Sequence, residues 1–229
     1  MPLTNREILR TFHICFDNKT GTAFLHYVEN TGFFVTAAHT LAGAQIGDCV
    51  LFRCETGWRQ MPITSIFFHP DGYDVCCFSK ENLPPEKVPT PYKSSKTDFG
   101  GELKFLGFPH GLHNTYQANG YSTPLVRTAF FSGVISLKGK QILLLDGFNN
   151  PGYSGGPVYS FDERGHPSLL GIISGYRYES RVQSGIFKTD EDGNEIEVRD
   201  FYTKPNSGMI YATGLATIMA VVTQFLCEK

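Results

Sequence analysis

The sequence predicts an all-β fold of the sandwich or barrel kind, in two halves with one short helix at the C-terminal end. Three observations predict it. Glycine (24) and proline (13) cut the chain into many short runs of β-branched and aromatic residues, a spacing of strands and turns rather than of alternating strands and helices. Apolar residues recur at helical spacing only near the end of the chain. A proline-rich polar stretch separates two apolar, strand-rich segments.

In chain order, the runs beginning at Gly21 (GTAFLHYV), Gly32 (GFFVT), Cys49 (CVLFRC) and Ile63 (ITSIFF) read as strands of a first barrel ending near Leu83. Residues 84–98, which hold Pro84, Pro85, Pro89 and Pro91, read as the linker, and a second barrel runs from Phe99 to the end, the whole of 1–229 forming one domain. Between Tyr176 and Asn206 lies a polar excursion whose segment 187–201 predicts a hairpin turning at Asp192-Gly193. Leu215, Ile218, Met219, Val222, Phe225 and Leu226 predict the final helix.

Composition narrows the function. Twenty Lys+Arg against twenty-two Asp+Glu, with no basic run, leaves no electrostatic footprint for nucleic acid or an anionic membrane surface. The most apolar stretches fall short of the roughly 18 residues that span a bilayer, and the first residues, MPLTNRE, lack the basic and apolar regions of a secretory leader, which predicts a cytoplasmic protein. The six cysteines, at 15, 49, 54, 76, 77 and 227, are then expected as reduced thiols. None is paired at zinc-ligand spacing, and the adjacent Cys76 and Cys77 point to opposite faces of a strand. No metal or cofactor is expected.

The stretch that carries chemistry is Asn149 to Val158, NNPGYSGGPV. Gly-Tyr-Ser-Gly-Gly fits two kinds of nucleophilic serine. A lipase-type elbow needs an acid and then a histidine after the serine. The single histidine that follows, His166, is only twelve residues on, in a turn. The alternative needs a histidine and an acid upstream, because a serine hydroxyl is a weak nucleophile until a base takes its proton. Phe33 to Leu41, FFVTAAHTL, ends an apolar strand in Thr-Ala-Ala-His and supplies His39.

These two segments resemble the histidine and serine motifs of the chymotrypsin-like serine proteases. That family sets its acid directly before an apolar strand, which selects Asp74 in HPDGYDVCCF over Asp71, a turn former in Pro-Asp-Gly. The segments KFLGFPHG (104–111), FSGVIS (131–136), LLDGFNNPG (144–152), LGIIS (170–174) and SGMIYATGL (207–215) are similar to the second barrel of the bacterial HtrA/Deg-like branch, protease domain alone, with no PDZ domain following. The resemblance implies two six-stranded antiparallel β-barrels and a serine endopeptidase, a hydrolase with protein or peptide substrates and no cofactor. His39, Asp74 and Ser154 would form the triad, and the amides of Gly152 and Ser154 the oxyanion hole. Phe148 would lie at the floor of the S1 pocket and favour small or apolar P1 side chains. Asn150 would border the site, with substrate extended along Ile173, Ser174, Gly175 and Tyr176.

Two departures from secreted relatives stand out. Thr40 and Asn150 occupy positions where those proteins place bracing cysteines, in keeping with a reducing compartment. Tyr153 replaces the aspartate that would pair with a newly cut N-terminus, so the oxyanion loop is expected to be ordered by packing or by a partner. The 176–206 excursion beside the presumed cleft makes a regulatory protein partner one expectation. A catalytically idle binding module on the same fold is the rival reading, and it predicts a lost triad residue, whereas all three are present.

Overall fold

In the computed structural model, the described residues are 2–28, 31–79, 97–118, 120–178, 182–183, 187–197, 202–203 and 205–227. The expected linker therefore lies almost wholly outside them. A short helix α1 (Asn5–Leu9), capped by the Thr4 side chain with Glu7 completing the capping box, leads into seven strands. These are β1 (Thr11–Phe16), β2 (Lys19–Val28), β3 (Thr31–Thr36), β4 (Cys49–Cys54), β5 (Gly57–Pro62), β6 (Ser65–Phe68) and β7 (Cys76–Ser79). Then come β8 (Glu102–Gly107), β9 (Asn114–Ala118), β10 (Tyr121–Thr123), β11 (Leu125–Leu137), β12 (Lys140–Asp146), β13 (Pro157–Phe161) and β14 (Pro167–Tyr178). Four short strands follow: β15 (Val182–Gln183), β16 (Phe187–Thr189), β17 (Glu195–Glu197) and β18 (Tyr202–Thr203). Strand β19 (Asn206–Gly214) and helix α2 (Leu215–Cys227) close the chain.

The architecture is all-β and chymotrypsin-like, as the sequence predicts. The second half closes into a six-stranded antiparallel barrel in the order β11-β12-β19-β14-β13-β8. The first half is a curled nine-stranded sheet, β6-β7-β3-β2-β1-β4-β10-β9 with β5 on β4. Hairpin β9–β10 thus belongs by sequence to the second half and by pairing to the first: Tyr121 of β10 faces Cys54 of β4. Strand β16 pairs with β17 around a turn at Asp190–Asn194, where Gly193 takes φ +86°, in agreement with the predicted hairpin.

Two cores hold the halves and a third joins them. Phe34, Phe52 and Phe78 pack with Leu41, Val50 and Ile63 inside the first sheet, and Leu103, Phe105, Leu145, Tyr153, Ile173 and Ile210 inside the barrel. Ile218, Val221 and Val222 of α2 pack on Phe33, Val35 and Val75 from the first half and on Leu106, Tyr159 and Ile172 from the second. The helix is the clamp between halves, and its buried face carries the apolar spacing read from the sequence. Cys76 faces the first-sheet core and Cys77 the shared core, as alternation along a strand demands. Burial raises both thiols well above the usual cysteine range, which leaves them protonated and inert.

Candidate active site

His39 sits in a 3-10 turn, Ala38–Leu41, directly after β3. The buried Ala37 and partly buried Ala38 let the backbone pack closely behind the exposed imidazole. Asp74 precedes β7 and meets His39 twice. Its Oδ1 accepts from the His39 amide at 2.9 Å, and its Oδ2 lies 2.7 Å from His39 Nδ1. A carboxylate oxygen accepts, so the ring meets Asp74 as a donor through Nδ1, and Nε2 is left for another partner. Asp71 is elsewhere: its amide donates to His69 Nδ1 at 3.2 Å, and Gly72 follows it with φ +68°, the turn role its sequence context predicts.

Ser154 reaches the first sheet through one backbone bond to β2. Its carbonyl accepts from the Thr22 amide at 2.8 Å. Gly155, at φ +82°, presses so close to Thr22 O, Thr36 Oγ1 and the Ala37 amide that a Cβ would lie 2.1, 2.3 and 2.8 Å from them. No hydrogen bond joins Ser154 Oγ to His39 among the described residues, a common state of serine–histidine pairs before substrate binds.

The turn from Pro151 to Ser154 is held at every carbonyl. Pro151 O accepts from the His110 amide at 2.8 Å, Gly152 O from Thr22 Oγ1 at 2.7 Å, Tyr153 O from the Gly156 amide at 2.8 Å, and Ser154 O from Thr22 as above. The amides divide differently. Tyr153 donates to Asn150 O, Gly155 to Ile173 O and Gly156 to Tyr153 O. Those of Gly152 and Ser154 donate to no protein group among the described residues. Two neighbouring, uncommitted N–H groups on a rigid turn are a ready-made acceptor site for a developing oxyanion.

Tyr153 is wholly buried. Its ring meets Phe105 edge-on at 4.9 Å, so the residue that replaces the usual aspartate anchors the turn in the barrel core. Burial raises its phenol above the ordinary range. Arg127 lies near enough to offset part of that, without a hydrogen bond of full geometry between them. The Arg127 guanidinium instead donates to Phe148 O at 3.1 Å.

The remaining sequence-predicted residues surround this turn. Phe148 is 62 % exposed, an accessible ring rather than a covered floor. The buried neighbour is Asn149, whose Nδ2 donates to Gly175 O at 3.2 Å and whose carbonyl accepts from Asn206 Nδ2. Asn150 is partly buried and contributes its carbonyl to the turn. Ser174 Oγ donates to Tyr211 O at 3.1 Å, and the hydroxyls of Tyr176 and Tyr178 lie 2.8 Å apart. Past Ile172 strand β14 leaves β13 and pairs only with β19. Among the described residues, one edge of 174–178 has no strand partner. The sequence assigns no role to Thr22, Asn149 or Arg127, because the partners that give them one lie far along the chain.

A histidine–carboxylate pair on an open curled sheet, and a serine on a tight, glycine-flanked turn that a closed barrel presents to the same sheet through Thr22, are the arrangement expected of the class of chymotrypsin-like serine hydrolases. Residues 21–172 match the family described as trypsin-like peptidase domain, and the chain belongs to that family: it is a serine protease. No curated protein matches. Among solved structures, the Rv3671c protease of M. tuberculosis in its active form shares 17% identity over 93% of this chain and 79% of its own, with a TM-score of 0.58. Its inactive form gives 17% identity over 94% and 88%, at 0.58. The HtrA-type protease AlgW with a tripeptide gives 18% over 93% of this chain and 59% of its own, at 0.56.

Proposed function

We propose that the protein is a serine endopeptidase acting through His39, Asp74 and Ser154 by way of an acyl-enzyme. Ser154 Oγ attacks the scissile carbonyl and its proton passes to His39 Nε2, which Asp74 orients and, once charged, stabilises. The carbonyl oxygen takes the negative charge between the Gly152 and Ser154 amides. The C–N bond then breaks, with the proton delivered from His39 to the leaving amine, and water attacks the ester by the same route in reverse. One observation carries this reading: in a turn whose carbonyls are all engaged, the two amides left over are those of Gly152 and Ser154.

The unpaired edge at 174–178 supports a substrate bound as an added strand. The apolar Phe148 with Arg127 on its carbonyl supports small or apolar P1 side chains, since a lysine or arginine there would meet a like charge. The free thiols are in keeping with a reducing compartment such as the cytoplasm. The buried Tyr153 supports an oxyanion turn held by packing, while the strand pair β15–β18 and hairpin β16–β17 beyond β14 offer a surface for a regulatory partner.

The test is hydrolysis of a peptide library and labelling by a fluorophosphonate, with wild-type, Ser154→Ala and His39→Ala proteins. Cleavage and labelling at Ser154 in the wild type alone are expected. Equal turnover in either variant would sink the triad, and silence in all three would favour the idle binding module.

A further inference from the structure

Thr22 stands at the centre of the turn just described and belongs to neither catalysis nor substrate contact. It is wholly buried in β2. Its amide holds Ser154 O at 2.8 Å, its hydroxyl holds Gly152 O at 2.7 Å, and its own carbonyl accepts from Thr36 Oγ1 at 2.7 Å. All three polar groups of one residue are spent on fixing the turn and on tying β2 to the strand that leads to His39. The next nearest donor to Gly152 O, the Phe108 amide, is at 3.5 Å, the limit of a hydrogen bond.

The position of the hydroxyl matters because of which peptide it holds. The unit from Gly152 C=O to Tyr153 N–H is the spacer between the two uncommitted amides, so its orientation sets the angle between them. Its N–H end is tied to Asn150 O at 3.3 Å and its C=O end to Thr22. Glycine at 152, with φ +106°, has no side chain to resist rotation of that unit. Without the hydroxyl, a buried carbonyl is left to one long bond, and rotating the peptide toward another donor relieves it.

We infer that Thr22 is a positioning residue for the oxyanion hole, its side-chain hydroxyl fixing the Gly152–Tyr153 peptide so that the Gly152 and Ser154 amides converge on one point. This rests on the reading of those amides as oxyanion donors. The bond joins residues 130 positions apart, so it couples the two halves of the fold at the reacting atoms: β2 belongs to the first sheet and the turn to the second barrel.

The experiment compares wild type, Thr22→Val and Thr22→Ser. Valine keeps the shape and loses the donor; serine keeps the donor. Losing the alignment of an oxyanion donor lowers kcat by about 10²-fold, so Thr22→Val should show that fall with KM within about twofold, and Thr22→Ser should restore most of it. A variant that merely loosened the fold would not be rescued by serine in this pattern. Backbone amide NMR in a Ser154→Ala background reads the same point without catalysis: Thr22→Val should move the Gly152 and Ser154 amide resonances and speed hydrogen exchange at Tyr153. Unchanged kcat, or unchanged amides at 152–154, overturns the inference. Should wild type neither cleave peptides nor label at Ser154, the catalytic reading fails and the NMR arm still decides what Thr22 holds. Should the valine variant not fold, Thr22→Cys, of similar size and a weaker donor, takes its place, and wild-type kcat there counts against the proposal.

Discussion

At the scale of single residues, the groups of the proposed site are constrained for different reasons. Asp74 has both oxygens committed, to the amide and the ring of His39. Asp74→Asn keeps the shape, but its amide nitrogen cannot accept from the His39 ring, which is then free to take the wrong tautomer. We expect kcat to fall by about 10⁴-fold with folding intact, measured on the best library peptide; a fall under tenfold would remove Asp74 from the mechanism. Gly155 is constrained by space instead, since a Cβ would lie 2.1 Å from Thr22 O at a φ that L side chains rarely adopt. Gly155→Ala should cost on the order of 3 kcal/mol in urea unfolding of a Ser154→Ala background, and a loss under about 1 kcal/mol would mean that β2 yields easily. The proposed triad, His39, Asp74 and Ser154, could be picked out as candidates because each lies in a short segment with a distinctive setting: small residues before the histidine, an apolar strand after the acid, glycines around the serine. Thr22, Asn149 and Arg127 could not, because what gives them meaning is a partner far along the chain.

At the scale of elements, the loop that carries Asp74 is fastened from outside the first sheet. Lys140, opening β12, donates to Gly72 O and lies over the Tyr73 ring at 5.5 Å, and the Gln141 amide donates to the Tyr73 hydroxyl at 3.3 Å. The loop's own bonds, His69 N to Val75 O and Gly72 N to His69 O, make it a unit that moves as one. Hairpin β11–β12 of the barrel thus braces the loop of the other half that carries Asp74. Lys140→Met should reduce kcat up to about 10²-fold, the penalty of a misplaced catalytic group, with little change in KM and in thermal midpoint. An equal loss in both constants would point to substrate contact instead. Such bracing escapes a sequence reading for the same reason as the placement of β9 and β10: hairpins follow from local turn chemistry, whereas the sheet a hairpin joins depends on which edge is left open by the rest of the fold. Helix α2 was legible because its apolar spacing is a property of the helix alone, although only the structure shows that its buried face closes the seam between both halves.

At the scale of the whole molecule, burial of histidine sets a limit on acid tolerance. His13 lies flat on Phe108 at 4.9 Å, with Trp58 at 5.0 Å on another side, and neither ring nitrogen has a partner among the described residues. Desolvation, with His113 and Arg53 adding like charge, lowers it to about 4. Desolvation, with Arg10 and Arg6, lowers His26, packed on Phe24 and Phe33, to about 4. Both values are depressed from 6.5, so the unfolded chain binds more protons between pH 6.5 and 4, and stability rises with pH across that window. The contribution is complete above 6.5 and is lost as pH falls through 4. Each histidine is worth up to roughly 3 kcal/mol at neutral pH. The depressed carboxylates Asp162 and Asp190 act in the same sense but at lower pH, because their unfolded forms titrate near 3.8. In a Ser154→Ala background the urea midpoint should therefore drop steeply from pH 7 to 4.5. His13→Phe, which keeps the stacking face and removes the titration, should remove about half of that drop and leave the midpoint at pH 7 no lower than wild type. Because Phe108 carries the His13 ring on one side and heads the loop whose His110 amide holds Pro151 O on the other, the same acid range that loosens the fold should reach the turn at 151–154 first. A midpoint that does not move between pH 7 and 4.5, or a His13→Phe variant that keeps the full pH dependence, would mean that His13 finds a proton acceptor in solution that the packing around it does not show.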